Sequence, residues 1–149
     1  MAKPTTLPFG DFLLQIENPA GSGTFMTPCG FTSKGAQESL STQETVVPDC
    51  DDPDAVAFIE RDGDALSMEI SASGVIAQEN WAIWRAWMRS GASRLVRIYH
   101  DVTLANNGGY DQGSFHLTAM NRAGERGRKV TVDITLMSDG EYTWTAATA

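Results

Sequence analysis

Residues 66–73, LSMEISAS, place an apolar side chain at every second position. The apolar set is Leu66, Met68, Ile70 and Ala72, and the set between them is Ser67, Glu69, Ser71 and Ser73. Side chains alternate between the two faces of a β-strand, so this pattern predicts a strand with one buried face and one polar face. Such half-buried strands are typical of antiparallel sheets, because parallel strands are usually covered on both faces.

The same two-residue period recurs along most of the chain. Alternating runs lie at 12–17, 95–99, 114–120, 129–136 and 142–146. Asp62-Gly63 and Asp139-Gly140 are dipeptides that favour tight hairpin turns, so we expect turns there and a meander of neighbouring strands. The expected fold class is mainly β, with an antiparallel sheet.

Residues 76–88 follow a helical period instead. Their apolar side chains share one arc of a helix: Ile76, Ala77, Trp81, Ile83, Trp84, Trp87 and Met88. Gly91 suits the position just after a helix, so we predict one flanking α-helix at about 76–90. The three tryptophans allow two interpretations. They form either the sugar platform of a carbohydrate-binding β-sandwich or, as we favour, an apolar seal over one open side of the sheet.

Residues 32–54 show no period and are rich in Ser, Thr, Gln, Pro and Asp. We expect a long polar loop here, and long loops in compact domains are usually functional or poorly ordered. The loop ends in an acidic run of Asp49, Asp51, Asp52 and Asp54. A calcium loop of the EF-hand type is not expected, because Asp54 stands where the sharp turn requires Gly. The acidic side chains are then either a contact for a basic neighbour or a solvated surface.

Charge divides the chain into two regions. The sequence has 11 Lys and Arg against 19 Asp and Glu, a net charge of −8, whereas sequence-reading nucleic-acid binders are normally basic. Residues 11–79 carry a net charge of −11 and residues 80–129 a net charge of +5. Two regions of opposite net charge on one chain favour head-to-tail association of identical copies. We expect a single domain over residues 1–149 and no membrane-spanning segment.

Catalytic motifs are missing from the sequence. It contains no G-x-S-x-G, H-E-x-x-H, Walker A or C-x-x-C pattern, and two cysteines, Cys29 and Cys50, cannot form a four-cysteine zinc site. A carboxylate pair such as Glu60 and Glu69 is the enzymatic alternative, although nothing in the sequence brings the two together. We therefore predict a protein that is not an enzyme, with no catalytic residue, no cofactor and no metal.

Three stretches of the chain carry a family resemblance. They are PCGFTSKG at 28–35, VPDCDDPDAVAFIERD at 47–62 and WAIWRAWMRSGASRLVRI at 81–98. They resemble the major tail tube proteins of long, non-contractile-tailed bacteriophages, which also occur in prophages and gene transfer agents. The resemblance covers residues 9–137, and the VPDCDDPD run is its most distinctive part.

This resemblance implies the phage tail tube fold, an antiparallel β-sandwich or half-barrel with one flanking helix and a long loop. It also implies a structural role in the virion. It implies hexameric rings that stack into the tail tube, a conduit that carries DNA from head to host without sequence recognition. The implied partners are further copies of the chain, a tape-measure protein, a tail terminator and a distal tail protein. The implied location is the virion tail, with assembly in the host cytoplasm. A secretion-system tube protein of similar fold is the nearest alternative.

Two sets of residues follow as candidate sites. Contacts between rings or subunits are assigned to Asp49, Asp51, Asp52, Asp54, Arg122, Arg126, Arg128 and Lys129. The lumen lining is assigned to Ser67, Glu69, Ser71 and Ser73. This second set contains no base, and a conduit for DNA should present few bases, because each Lys or Arg that meets a phosphate adds to binding.

Overall fold

The computed structural model describes residues 2–148 as one antiparallel sheet with one helix. The strands are β1 Phe12–Glu17, β2 Phe25–Met26, β3 Phe31–Val47, β4 Phe58–Val75, β5 Arg94–His100, β6 Gly109–Ala123 and β7 Thr131–Ala146. The helix, α1, is Gln78–Ser90. The strand order is β2-β1-β5-β6-β7-β4-β3, so the predicted mainly β, antiparallel class is confirmed. The predicted meander is confirmed for β5, β6 and β7 and wrong beyond them, because β5 also pairs with β1 and β7 also pairs with β4.

One apolar cluster joins the two halves of this sheet. Its buried members are Leu14, Ile16, Met68, Ile70, Ala72, Trp84, Trp87, Val96, Ile98, Phe115, Leu117, Val132, Ile134 and Leu136. These side chains come from β1, β5, β6, β7 and β4, so five neighbouring strands bury one common face, and α1 packs on it. This one-sided core agrees with the expected half-barrel, and burial of each large aliphatic side chain contributes roughly 1.5–3 kcal/mol.

Helix α1 closes the open side of the half-barrel. Trp84 and Trp87 are buried, stack at 5.9 Å between ring centroids, and Trp84 meets the ring of Phe31 edge-on. The Trp87 Nε1–H donates to the carbonyl of Ala92 at 2.9 Å, and Gly91 ends the helix at φ 66°. The predicted helix is confirmed, and two of the three tryptophans are core rather than platform. No helix within residues 2–148 is long and apolar enough to cross a membrane.

The expected polar loop at 32–54 is wrong. Residues 31–47 form β3, which pairs with β4 from Phe31↔Gly74 to Val47↔Phe58, and only residues 48–57 connect the two strands. Most of β3 is exposed on both faces, so it needs no alternation of apolar and polar side chains. A strand that is exposed on both faces shows no alternation of apolar and polar side chains, because burial of one face is what creates that alternation.

The two expected hairpin turns are also wrong. Asp62-Gly63 lies inside β4, next to a register shift opposite Ser41 and Thr42. Asp139-Gly140 lies inside β7, where the pairing with β6 skips from Phe115↔Ser138 to Gly113↔Tyr142 and Gly140 has φ 91°. Glycine allows the left-handed conformation that Gly140 adopts at this irregularity. Both dipeptides therefore lie at irregularities inside long strands rather than at their ends.

Candidate assembly surfaces

A polar face runs across four neighbouring strands on the side away from the core. Residues paired across an antiparallel sheet share a face, so the pairing assigns its members. From β3 through β4 and β7 to β6, the rows are Ser33, Ser73, Asp133 and Asn121; Gly35, Ser71, Thr135 and Ala119; Gln37, Glu69, Met137 and His116; and, on β3 and β4, Ser39 and Ser67. We call this set the polar face, and it contains all four residues expected in the lumen.

The charge of the polar face is acidic. Glu69 and Asp133 are its carboxylates, and it carries no Lys or Arg. His116 is its one basic side chain, and the His116 Nε2 lies 3.1 Å from the Asp139 carboxylate. Ser39 and Ser67 hydrogen-bond to each other through their hydroxyls at 3.1 Å. A phosphate backbone passing over this face would meet hydroxyls and negative charge.

Two strand edges of this four-stranded region are unpaired within residues 2–148. Strand β3 ends the strand order and pairs with β4 alone. Strand β6 pairs with β5 only as far as Phe115↔Arg94, so residues 116–123 have a partner on one side only. Long unpaired edges invite strand addition from another chain.

The β3–β4 hairpin extends beyond the core as an arm, comprising residues 38–47, 48–57 and 58–66. The arm contains nine residues of β4, from 58 to 66, and so projects about 30 Å from the core. Its large apolar side chains are exposed, Val56 by 92% and Phe58 by 84%. Exposed apolar area of this kind marks a protein contact. The sequence signal for this contact is the unbroken apolar run Ala55–Ile59.

The turn at the end of the arm, residues 48–57, is the tip. The Asp49 Oδ1 accepts hydrogen bonds from the backbone N–H of Asp51 at 2.8 Å and of Asp52 at 3.3 Å. Asp49 therefore shapes the turn, whereas Asp51, Asp52 and Asp54 are exposed and form no ion pair within residues 2–148. Three carboxylates and the exposed thiol of Cys50 are presented at one point.

The basic residues of the predicted contact set do not form one cluster. Arg126, Arg128 and Lys129 lie in the exposed β6–β7 turn, where Arg128 Nε is 3.7 Å from Glu125 Oε2. Arg122 is on β6, and its guanidinium stacks over the ring of Trp81 at 4.5 Å. The turn thus holds three of the four bases, and the fourth faces the helix.

The tip and the β6–β7 turn lie at opposite ends of the molecule. At the turn end, Thr131 pairs with both Ala123 and Val75. At the other end of β4, Phe58 pairs with Val47 beside the tip. The acidic and basic sets therefore cannot meet within one chain, but they can meet when copies are stacked along the strand direction.

The enzymatic alternative has no geometric support. Glu60 is on the arm and pairs with Thr45, whereas Glu69 is on the polar face and pairs with Gln37. Nine residues of one strand separate them by about 30 Å. They therefore cannot act on one substrate as an acid–base pair.

Comparison with known proteins gives one family and several similar folds. The family model for phage tail tube protein matches residues 6–144. A search of curated protein sequences finds no match. The tail of an empty gene transfer agent particle, refined with C6 symmetry, is similar at a TM-score of 0.79 and 20% identity, covering 95% of this chain and 100% of that one.

Two further structures share the fold. The virion of a native gene transfer agent particle contains a chain with a TM-score of 0.77 and 18% identity, again covering 95% of this chain and 100% of that one. The SPP1 tail tube protein has a TM-score of 0.69 and 11% identity, covering 95% of this chain and 80% of that one.

Proposed function

This chain belongs to the phage tail tube protein family, and we propose that six copies of it close into a ring and that rings stack into a conduit for DNA. As a member of that family it is a structural protein of a virion tail rather than an enzyme. Neither a carbohydrate-binding module nor a secretion-system tube is favoured. The number six is supported by the C6 symmetry of a similar gene transfer agent tail.

The observation that carries the proposal is the pair of free edges on the four-stranded region. Strands β3, β4, β7 and β6 alternate in direction. Because the number of strands is even, the outer strands β3 and β6 run in opposite directions. When copies are related by rotation about the axis of a ring, β3 of one copy therefore meets β6 of the next in antiparallel orientation. Each copy then supplies a pairing partner for the free edge of its neighbour, and the wall closes.

The size of such a wall fits a DNA conduit. Six copies of four strands give about 24 strands, and at about 4.8 Å per strand and a tilt of about 40° the wall is about 48 Å across between backbones. Inward side chains narrow this bore, but it stays wider than a DNA duplex. The tape-measure protein would occupy the bore before DNA does.

The polar face is the proposed lumen lining. Ser67, Glu69, Ser71 and Ser73 lie at its centre, with hydroxyls and carboxylates and no Lys or Arg around them. Carboxylates repel phosphate, and a hydroxyl that contacts phosphate releases no counterion, so DNA can pass without the salt-dependent retention that bases cause. The opposite, apolar face is already used by the core.

Stacking uses the two opposite ends of the molecule. Asp49, Asp51, Asp52 and Asp54 at the tip of one ring would meet the basic end of the next ring, which carries Arg122, Arg126, Arg128 and Lys129. A heterologous contact of this kind repeats without closing and so generates a tube. A tail terminator and a distal tail protein would cap its ends, and assembly would take place in the host cytoplasm.

Hydrogen exchange on the free and assembled protein tests this function. Amides of β3 and of residues 116–123 should exchange fast in the monomer and become protected in rings or tubes seen by electron microscopy. The β4 and β7 amides, already paired on both sides at residues 69–75 and 131–137, serve as the internal control. A protein that assembles without protecting either edge, or stays monomeric when concentrated with tail components, would contradict the proposal.

A further inference from the structure

A basic cleft separate from the β6–β7 turn lies between α1 and β6. It has a volume of about 190 Å³ and is lined by Trp81, Arg85, Met88 and Arg89 of α1 and by Met120 and Arg122 of β6. We call it the arginine cleft. Three guanidinium groups surround one indole and two thioethers, so the cleft offers positive charge at its rim and apolar surface at its floor.

The charges of the arginine cleft are not used within the chain. Among residues 2–148, Arg85, Arg89 and Arg122 form no ion pair, and Arg122 is held over Trp81 by a cation–π contact. In the β6–β7 turn, by contrast, Arg128 is already beside Glu125. Guanidinium groups without an ion-pair partner are suited to carboxylates, because their planar donors can bind both carboxylate oxygens at once.

The position of the cleft matches the reach of the arm. Met120 and Arg122 are near the C-terminal end of β6, the end opposite the tip. An arm about 30 Å long is long enough to pass the β6–β7 turn of a neighbouring copy, because Arg122 lies only two residues before that turn begins. Its tip would then arrive beside β6 of the next ring rather than stop at the terminal turn.

We propose that the arginine cleft is the receptor for the tip of another copy in the adjacent ring. The carboxylates of Asp51 and Asp52 pair with Arg85 and Arg89, and the exposed Val56 side chain covers the indole of Trp81. Charge complementarity and the apolar floor select this occupant, since the tip is acidic and carries exposed apolar side chains. The inference rests on the proposed stacking of rings and names the contact that holds them together.

The thiol of Cys50 at the tip provides a direct test. In a Cys29→Ser background, an Arg85→Cys substitution places one thiol in the cleft, and an Arg126→Cys substitution places one in the turn with the same loss of charge. Mild oxidation of assembled protein should give disulfide-linked multimers on a non-reducing gel for Arg85→Cys and not for Arg126→Cys. The reverse pattern, or no multimers from either variant, would overturn the receptor assignment.

A charge-swap series separates this inference from the proposed function. The double variant Arg85→Glu and Arg89→Glu should form rings but lose stacked tubes. Adding Asp51→Arg and Asp52→Arg to it should restore them, whereas the same two substitutions should not restore stacking to Arg126→Glu with Arg128→Glu. If the parent protein and the cleft variants stack equally well, the result refutes only the assignment of the cleft as the receptor. Parent protein that forms neither rings nor tubes with tail components refutes the proposed function and, with it, this contact.

Discussion

The Tyr142 hydroxyl donates a 2.6 Å hydrogen bond to Glu38 Oε2 and so ties the base of the arm to the far half of β7. The contact lies on the face of the sheet that carries the core, and the two carboxylates near it are those of Glu38 and Asp111. Burial and then the charge of Glu38 raise the pKa of Asp111, while His100 opposes the change. Burial, the bond to Glu38 and the nearby negative charges raise the pKa of Tyr142 to about 12.

The raised pKa of Asp111 has a predictable sign in stability. The folded state holds the Asp111 proton more tightly than the unfolded state, so its contribution favours folding in acid and is lost as pH rises through the folded pKa. At neutral pH, Asp111→Asn should therefore unfold at a higher urea concentration than the parent. The gain in the free energy of unfolding should be less than about 1 kcal/mol, because a half-exposed charge is screened.

The pH dependence is the decisive part of that measurement. The advantage of Asp111→Asn should shrink as pH falls into the ordinary carboxyl range. Asp101→Asn removes an exposed carboxylate directly after the end of β5 at His100, and it should show neither effect. A stabilisation that stays constant with pH would contradict the assignment to Asp111 ionisation.

Tryptophan substitutions test the role of α1 as the seal of the half-barrel. Trp87 is 1% exposed, and Trp87→Ala should lower the free energy of unfolding by about 3–5 kcal/mol through lost burial and a cavity. Trp81→Ala should cost under about 1 kcal/mol, since it loses mainly a cation–π contact near the surface. Chemical denaturation measures both, and equal losses would show that the helix does not pack as described.

The parts of the fold that bury one face were readable from sequence. Residues 66–73 alternate because Met68, Ile70 and Ala72 are buried while Ser67, Glu69 and Ser71 are exposed. The helix was readable for the same reason, since burial of Trp84 and Trp87 imposes its 3.6-residue period. The four residues expected in the lumen followed from this alternation, and the structure extends them to a face across four strands.

The parts that serve contacts outside the monomer were not readable. Beyond residue 38, β3 is exposed on both faces, so its polar sequence carries no trace of a strand. The free edges were hidden because strand order depends on pairing between distant residues, such as Arg94 with Phe115, which no local pattern encodes. The arginine cleft was hidden likewise, since Arg122 meets Trp81 only through packing of the helix on β6.

New bases on the polar face should make the conduit retain DNA. Ser67→Lys with Ser71→Lys places two ammonium groups there, and tubes should still form because both positions are exposed. Duplex DNA that co-sediments with tubes should bind with a salt slope larger by about 0.9 per added phosphate contact.

The matched control for that experiment is Ala86→Lys with Gln78→Lys on the exposed side of α1. These substitutions add the same charge away from the polar face. If the helix variant retains as much DNA as the polar-face variant, the polar face does not line the bore.

Charge reversal at the tip should separate assembly from folding. Asp51→Lys, Asp52→Lys and Asp54→Lys together should abolish stacked tubes and leave the midpoint of thermal unfolding nearly unchanged, because these exposed side chains form no ion pair within residues 2–148. Reversal of the exposed acids Glu79, Asp101 and Glu141 is the control for net charge. Intact stacking with a collapse in thermal stability would make the tip a folding element instead.

A reconstruction of the assembled tube at a resolution that traces strands tests the central claim most directly. We predict a six-fold ring in which β3 of each subunit hydrogen-bonds antiparallel to residues 116–123 of its neighbour, with Glu69 and Ser71 facing the bore. A ring whose subunits are self-contained, with both edges open to solvent or the polar face turned outward, would contradict the account.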